Sequence, residues 1–235
     1  MQLAQQGQWV ALVMLVGLGV VVWVQPLADA AVSRGSEQAD RAGVSRMQLS
    51  RLGQAGMLSQ QTHGVHLSRW VGVDHRTGLR AAWLSLDPTR TAAERLASSP
   101  TDLVVSHATA AEMLDLGSIR ASWHEFTSPR RRQSRRGDAR LHHRPVPRED
   151  MTVVDGLPVT TPARTVVDLL AQRHDTDHVA QLVGDATERG VLHTRGLAGR
   201  LAPYAAAHGY PRGDGEALLA ALYRLAGIEP APAGR

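Results

Sequence analysis

The side chains able to do chemistry in this chain are mainly histidines and carboxylates, because cysteine and lysine are both missing. Eleven histidines invite a metal reading. His63 and His66 are three apart, His142 and His143 are adjacent, and only His174 and His178 have the helical spacing of a ligand pair, with Asp175 and Asp177 beside them. No third ligand follows at a recognised spacing, and aspartate is expected at a helix start anyway, so no metal or other cofactor is expected. Ser106-His107 suggests a hydrolase pair, but adjacent residues rarely present two side chains to one substrate. The chain also lacks a G-x-S-x-G elbow, so the pair is expected to start a helix, with Ser106 as its cap. Asp155, Asp168 and Asp185 could be combined on paper for acid/base work, yet Asp155 has a sufficient role in a turn and nothing orients the others. Without cysteine there are no disulfides, thiolate nucleophiles or cysteine zinc sites. Without lysine, a Walker phosphate loop, a Schiff-base enzyme and a lysine-containing nuclease site lose their key residue. The expectation is a protein that is not an enzyme.

What remains is arginine. All 26 basic residues are arginine, the net charge is +4 and the pI is about 10.5. Clustering matters more than the total for binding a polyanion. The stretch PRRRQSRRGDAR (residues 129–140) holds six arginines and one acid. It is expected to be an exposed hairpin loop between strands near residues 124–128 and 139–144. Arg130, Arg131, Arg132, Arg135 and Arg136 would grip DNA phosphates, giving affinity without base specificity; the bland alternative is a solvated charge run.

A second basic element is better organised. Ser45 and Gln48 form an S-x-x-Q capping box, and Val44 and Leu49 take the staple positions around it. On the resulting helix Leu49 and Leu52 share one side, Arg46, Ser50 and Arg51 project from the other, and Met47 lies between. Gly53 and Gly56 end it, and residues 57–67 read as a β-hairpin around His63-Gly64. On the residues alone this is either a DNA-recognition helix with a wing or a helical hairpin with a solvated basic face.

The elements that position these groups read as α+β. A hydrophobic content of 43% with 20% charged residues is ordinary for a globular chain. Helices are expected over residues 79–86, 91–96 and 109–116, with Val104-Val105 as a buried strand. Residues 151–154 and 157–160 read as strands joined at Asp155-Gly156, a strong two-residue hairpin signal. Thr161 then caps a helix that has Pro162 at its first position. Further helices are expected over residues 177–189, 194–208 and 215–226, before a frayed tail over 229–235.

The first 28 residues carry no charge, and residues 9–24 (WVALVMLVGLGVVVWV) are almost wholly apolar. As a helix this stretch would span about 24 Å, short of a hydrocarbon core of about 30 Å. Three readings stay open: a membrane anchor with contacts between Trp9 and Trp23, a signal peptide cut after Ala28-Asp29-Ala30, and a segment foreign to the rest of the fold. The arginines that follow favour a cytoplasmic position for the rest, either free or tethered to the inner membrane.

The phrase DGLPVTTPARTVVDL (residues 155–169) resembles the centre of the actinobacterial AbiEi-type antitoxins. GVSRMQLSRLGQAGMLSQQTHGVHL (43–67) is similar to that family's recognition helix and wing. LRAAWLSLDPTRTAAERL (79–96), VVSHATAAEMLDLG (104–117) and HEFTSPRRRQSRR (124–136) resemble its middle, and GDGEALLAALYRLAGI (213–228) its closing helix. The chain departs from the pattern at His66, where tyrosine is usual, and throughout residues 1–26. The resemblance implies a winged helix-turn-helix head over residues 27–70 and an antitoxin body over 71–228. It implies operator duplex DNA as a partner, contacted by Arg46, Gln48, Ser50 and Arg51 and by a wing around Gln61, Thr62 and His63. It also implies autorepression of an operon in phage defence, and opposition to a nucleotidyltransferase-like toxin in a type IV arrangement that needs no direct contact. A winged-helix regulator without a toxin and a membrane-tethered interaction protein are the alternatives.

Overall fold

The computed structural model describes residues 11–15, 20–24, 39, 44–62, 65–68, 74–98 and 102–228. Trp9 and the wing tip His63-Gly64 lie outside them. Within them the protein is mixed α+β and ends in helices. It divides into two compact units, residues 1–99 with 155–157, and residues 100–154 with 158–235.

In the first unit, β1 (Ala11–Leu15) and β2 (Val20–Val24) pair antiparallel, with Ala11 opposite Val24 and Leu15 opposite Val20. The helical span considered for this stretch is not what forms there. Consecutive β-branched valines are stiff at χ1 and fit a pleated strand better than a helix. Among the described residues no helix is long and apolar enough to cross a membrane.

Helix α1 (Arg46–Gln54) starts where the capping box places it. The Gln48 amide donates to Ser45 Oγ at 3.3 Å, and the Ser45 amide donates to Gln48 Oε1 at 2.8 Å. Val44 and Leu49 are buried in one small core with Ala39, against which Leu58 packs, so the staple closes. The chain then turns at Gly56, which takes φ 69°, into β3 (Leu58–Thr62) and β4 (Val65–Ser68). These pair antiparallel, with an irregularity between Gln60 and Thr62. Val65 and Leu67 point into the core. Helix α2 (Thr77–Ser85) contacts both strands, and α3 (Ala92–Ala97) starts on a Thr91–Glu94 capping box. Arg95 of α3 is buried: its guanidinium lies 3.4 Å over the Trp83 ring and donates to the Trp83 carbonyl at 2.7 Å. The flat, weakly hydrated guanidinium suits such a stacked site better than an ammonium would.

The second unit is built on a five-stranded sheet. Its strands are β5 (Val104–Val105), β6 (His124–Ser128), β7 (Ala139–His143), β8 (Met151–Val154) and β9 (Leu157–Thr160), in the order β7-β6-β5-β9-β8. Asp155 and Gly156 take φ of 48° and 75°, so the turn between β8 and β9 has positive φ at both central positions, the type I′ geometry that Asp-Gly favours. Helix α4 (His107–Met113) follows β5. Helices α5 (Pro162–Ala171), α6 (Thr176–Glu188), α7 (Leu197–Leu201) and α8 (Gly215–Leu225) follow β9. Thr161 Oγ1 accepts from the Arg164 amide at 3.4 Å and Pro162 opens α5, as expected. The single helix expected over 194–208 is instead α7 followed by a 3-10 segment, Ala202–His208, because Pro203 has no amide to continue the α-helical ladder. Val166, Leu169 and Leu170 of α5 meet Val179, Leu182 and Val183 of α6 and Leu218 and Leu222 of α8 in the main core.

The expected hairpin at the arginine segment is overturned. Strands β6 and β7 run parallel, with His124 opposite Ala139 and Ser128 opposite His143, so the arginine segment between them is a crossover and not a hairpin loop. Residues 129–138 return along the full length of β6. A connection of that length exceeds the roughly two to five residues of common hairpin loops.

Candidate functional site

In the first unit helix α1 presents Arg46, Met47, Ser50 and Arg51 to solvent, with Leu49 and Leu52 buried on the opposite side. Gln48 is half-buried, and its side chain is occupied in the capping box. Gln61 is exposed on β3, with its amide donating to Ser59 at 2.9 Å. Thr62 ends that strand, and His63 lies outside the described residues. The basic helix is thus followed by a two-stranded hairpin.

In the second unit the crossover does not offer five equivalent arginines. Arg130, Arg131 and Arg135 are exposed. Arg132 is 3.7 Å from Asp102, and Arg136 binds the Asp138 carboxylate through Nε at 2.9 Å. That bond is the leading reason the Asp138 carboxyl titrates below its ordinary value. Arg140, on the neighbouring strand, stacks its guanidinium 4.5 Å from the exposed Trp123 ring.

Behind that edge lies a polar cluster assembled from four elements. His107, first residue of α4, takes φ 55°, which turns its side chain back toward its neighbour, and its Nδ1 lies 2.9 Å from Ser106 Oγ. The Thr127 hydroxyl donates to the same Ser106 oxygen at 2.8 Å. Ser106 therefore does not cap α4 as expected. Glu125, reaching from β6, does so instead: its Oε2 accepts from the Ala108 amide at 3.1 Å, a carboxylate at the positive end of a helix. The other oxygen, Oε1, is 3.2 Å from His142 Nε2, and the Gln172 amide nitrogen is 3.2 Å from His142 Nδ1. The His107 and His142 rings stack at 3.8 Å with a 31° tilt. Burial first, then the neighbouring His142, pushes His107 down to about 2, so its ring is neutral.

The three carboxylates weighed from the sequence do not meet. Asp155 sits in its turn. Asp185 Oδ2 accepts from the Gly117 amide at 2.7 Å. Asp168 is buried with Arg164, whose Nε donates to it at 2.9 Å and whose Nη1 donates to Asp150 at 3.1 Å. Burial raises the Asp168 carboxyl above its ordinary value despite that partner. Arg200 adds a two-pronged contact to Asp150, 2.9 Å to each oxygen, so the group ties α5 and α7 to the turn that precedes β8. His174 and His178 form no ligand group with a third residue among those described; the one such group there is His107, Glu125 and His142. Sequence reasoning misses Glu125, because the burial that forces it to pair follows from the packing of β6 and not from a local motif.

Residues 96–193 match the family model described as the AbiEi antitoxin C-terminal domain. No curated protein matches the chain. Among solved structures, the crystal structure of the RV2827C protein from Mycobacterium tuberculosis is similar at a TM-score of 0.53, over 84% of this chain and 73% of that one, with 16% sequence identity. That likeness is one of fold. The arginine crossover, the histidine cluster and the Arg164–Asp168 pair all lie within the segment that matches the AbiEi antitoxin C-terminal domain.

Proposed function

We propose that this chain is an antitoxin and autorepressor. A winged helix-turn-helix head, over about residues 27–70, binds operator DNA and lowers expression of its own operon. The body, residues 71–228, opposes a nucleotidyltransferase-like toxin without a need for direct contact. The observation that carries the DNA reading is the capped, stapled helix α1. It holds Arg46, Ser50 and Arg51 outward and is followed directly by a two-stranded hairpin. The antitoxin reading is supported by the family match over residues 96–193. Arg46 and Arg51 read base edges in the major groove, while Ser50, Gln61 and the wing contact the backbone.

The test is a gel-shift titration against the promoter of the chain's own operon. Arg46→Ala and Arg51→Ala each weaken specific binding by about 1–3 kcal/mol and relax sequence preference. Unchanged affinity in the double variant refutes the assignment. Co-expression with the adjacent toxin gene tests the second half: growth is restored by the intact chain and by one truncated before residue 71.

A further inference from the structure

Residues far apart in sequence bring together a ligand set that neither the antitoxin nor the DNA-binding reading uses. We propose that His107, Glu125 and His142 bind one divalent transition-metal ion of the zinc class, with the Gln172 side chain or a water molecule as the remaining ligand. One ligand atom from each of the three lies within 4.8 Å of the others, and no other such group occurs among the described residues. Two imidazoles and a carboxylate favour zinc, cobalt or nickel over magnesium or calcium, which prefer all-oxygen shells. His107 and Glu125 are buried, whereas His142 keeps 22% of its side chain exposed. The site is thus closed on the inside and entered from one edge.

The surroundings orient the ligands as metal sites require. Ser106 Oγ stands at His107 Nδ1; by accepting that N–H it leaves Nε2 bare for a metal, the usual task of an outer partner. The Ala108 amide holds Glu125 Oε2, which leaves Oε1 directed at His142. His107 keeps a left-handed backbone, uncommon for a non-glycine residue and a mark of functional sites. The nearby cations are accounted for: Arg164 is paired with Asp150 and Asp168, and Arg144 donates to the Tyr204 hydroxyl. The two imidazoles are stacked, and stacked rings cannot both aim in-plane lone pairs at one ion. Binding therefore swings the half-exposed His142 ring out of the stack, and its present partners, Glu125 and Gln172, become fellow ligands.

The experiment uses the full chain, stripped with a chelator and titrated with Co2+ and then Zn2+. One Co2+ per chain is expected, with the visible bands of a low-coordinate site, and Zn2+ displaces it. His142→Ala and Glu125→Gln each abolish those bands, Ser106→Ala weakens binding roughly 10–100-fold, and His178→Ala changes nothing. Zn2+ also raises the melting temperature of the stripped wild-type chain, since it binds only the folded form. This last reading holds even if a variant fails to fold. Absence of stoichiometric binding, no rise in melting temperature, or equal binding by His142→Ala overturns the proposal. None of these outcomes touches the gel-shift test of helix α1.

Discussion

The hydroxyl of Ser106 lies 2.9 Å from Nδ1 of its own neighbour His107, a meeting that the φ of 55° at His107 brings about. In ordinary helical or extended backbone, successive side chains diverge. Here the pair is turned into one polar cluster, and Thr127 donates into it from β6. Ser106→Ala leaves the Thr127 hydroxyl and the His107 nitrogen buried without that partner. We expect a loss of about 1–3 kcal/mol, read from urea unfolding at neutral pH. A loss indistinguishable from that of an exposed serine, such as Ser122→Ala, contradicts the buried network.

The arginine crossover divides into two groups with different expected behaviour. Arg130, Arg131 and Arg135 are exposed, whereas Arg132 and Arg136 face Asp102 and Asp138. Replacing the three exposed arginines with alanine weakens binding to all duplex sequences alike. It also flattens the salt dependence by a log–log slope of about 0.9 for each phosphate that is no longer neutralised. Arg132→Ala and Arg136→Ala change the slope less. If the triple variant keeps both slope and affinity, the segment is a solvated charge run.

His66, on β4, is half-buried, and burial lowers its pKa. A histidine whose folded pKa lies below its unfolded value is protonated more readily when unfolded. Its contribution is present above the unfolded pKa, about 6.5, and is lost as the pH falls through that value. His66→Tyr removes this titration. The drop in melting temperature between neutral pH and about pH 5 becomes smaller in the variant. Parallel drops in the two proteins show that His66 does not carry the effect.

Gly215 opens α8 against α7. A Cβ there would collide with the Ala198 carbonyl oxygen and come within 2.7 Å of the Ala202 nitrogen. Both atoms are backbone and cannot swing aside. Gly215→Ala is expected to cost at least about 1–3 kcal/mol. Gly199→Ala, in the neighbouring helix and with nothing within 4 Å, is tolerated or gains up to roughly 1 kcal/mol of helix propensity. Thermal melts of the two variants side by side check the packing; equal melting temperatures contradict it.

Local physics made much of this chain legible from its residues. The Ser45–Gln48 box, the Asp155-Gly156 turn and the Thr161-Pro162 helix start each depend on atoms within a few residues of one another. Reading them required only side-chain chemistry and backbone sterics. The family pattern was legible for the same reason, since its phrases are such local motifs in a fixed order. Strand direction was not legible. Whether β6 and β7 run parallel depends on how the whole crossover packs, and a segment rich in arginine does not encode that locally. The division of the arginines was equally hidden, because Asp102 approaches Arg132 from far along the chain. The polar cluster was decided by the fold alone. Ser106-His107, Glu125 and His142 come from a helix start and two strands, and they converge because β7 lies beside β6 and α4 packs on β6. Spacing singled out His174 and His178. The sheet brings together His107 and His142, since distance along the chain says nothing about distance across it.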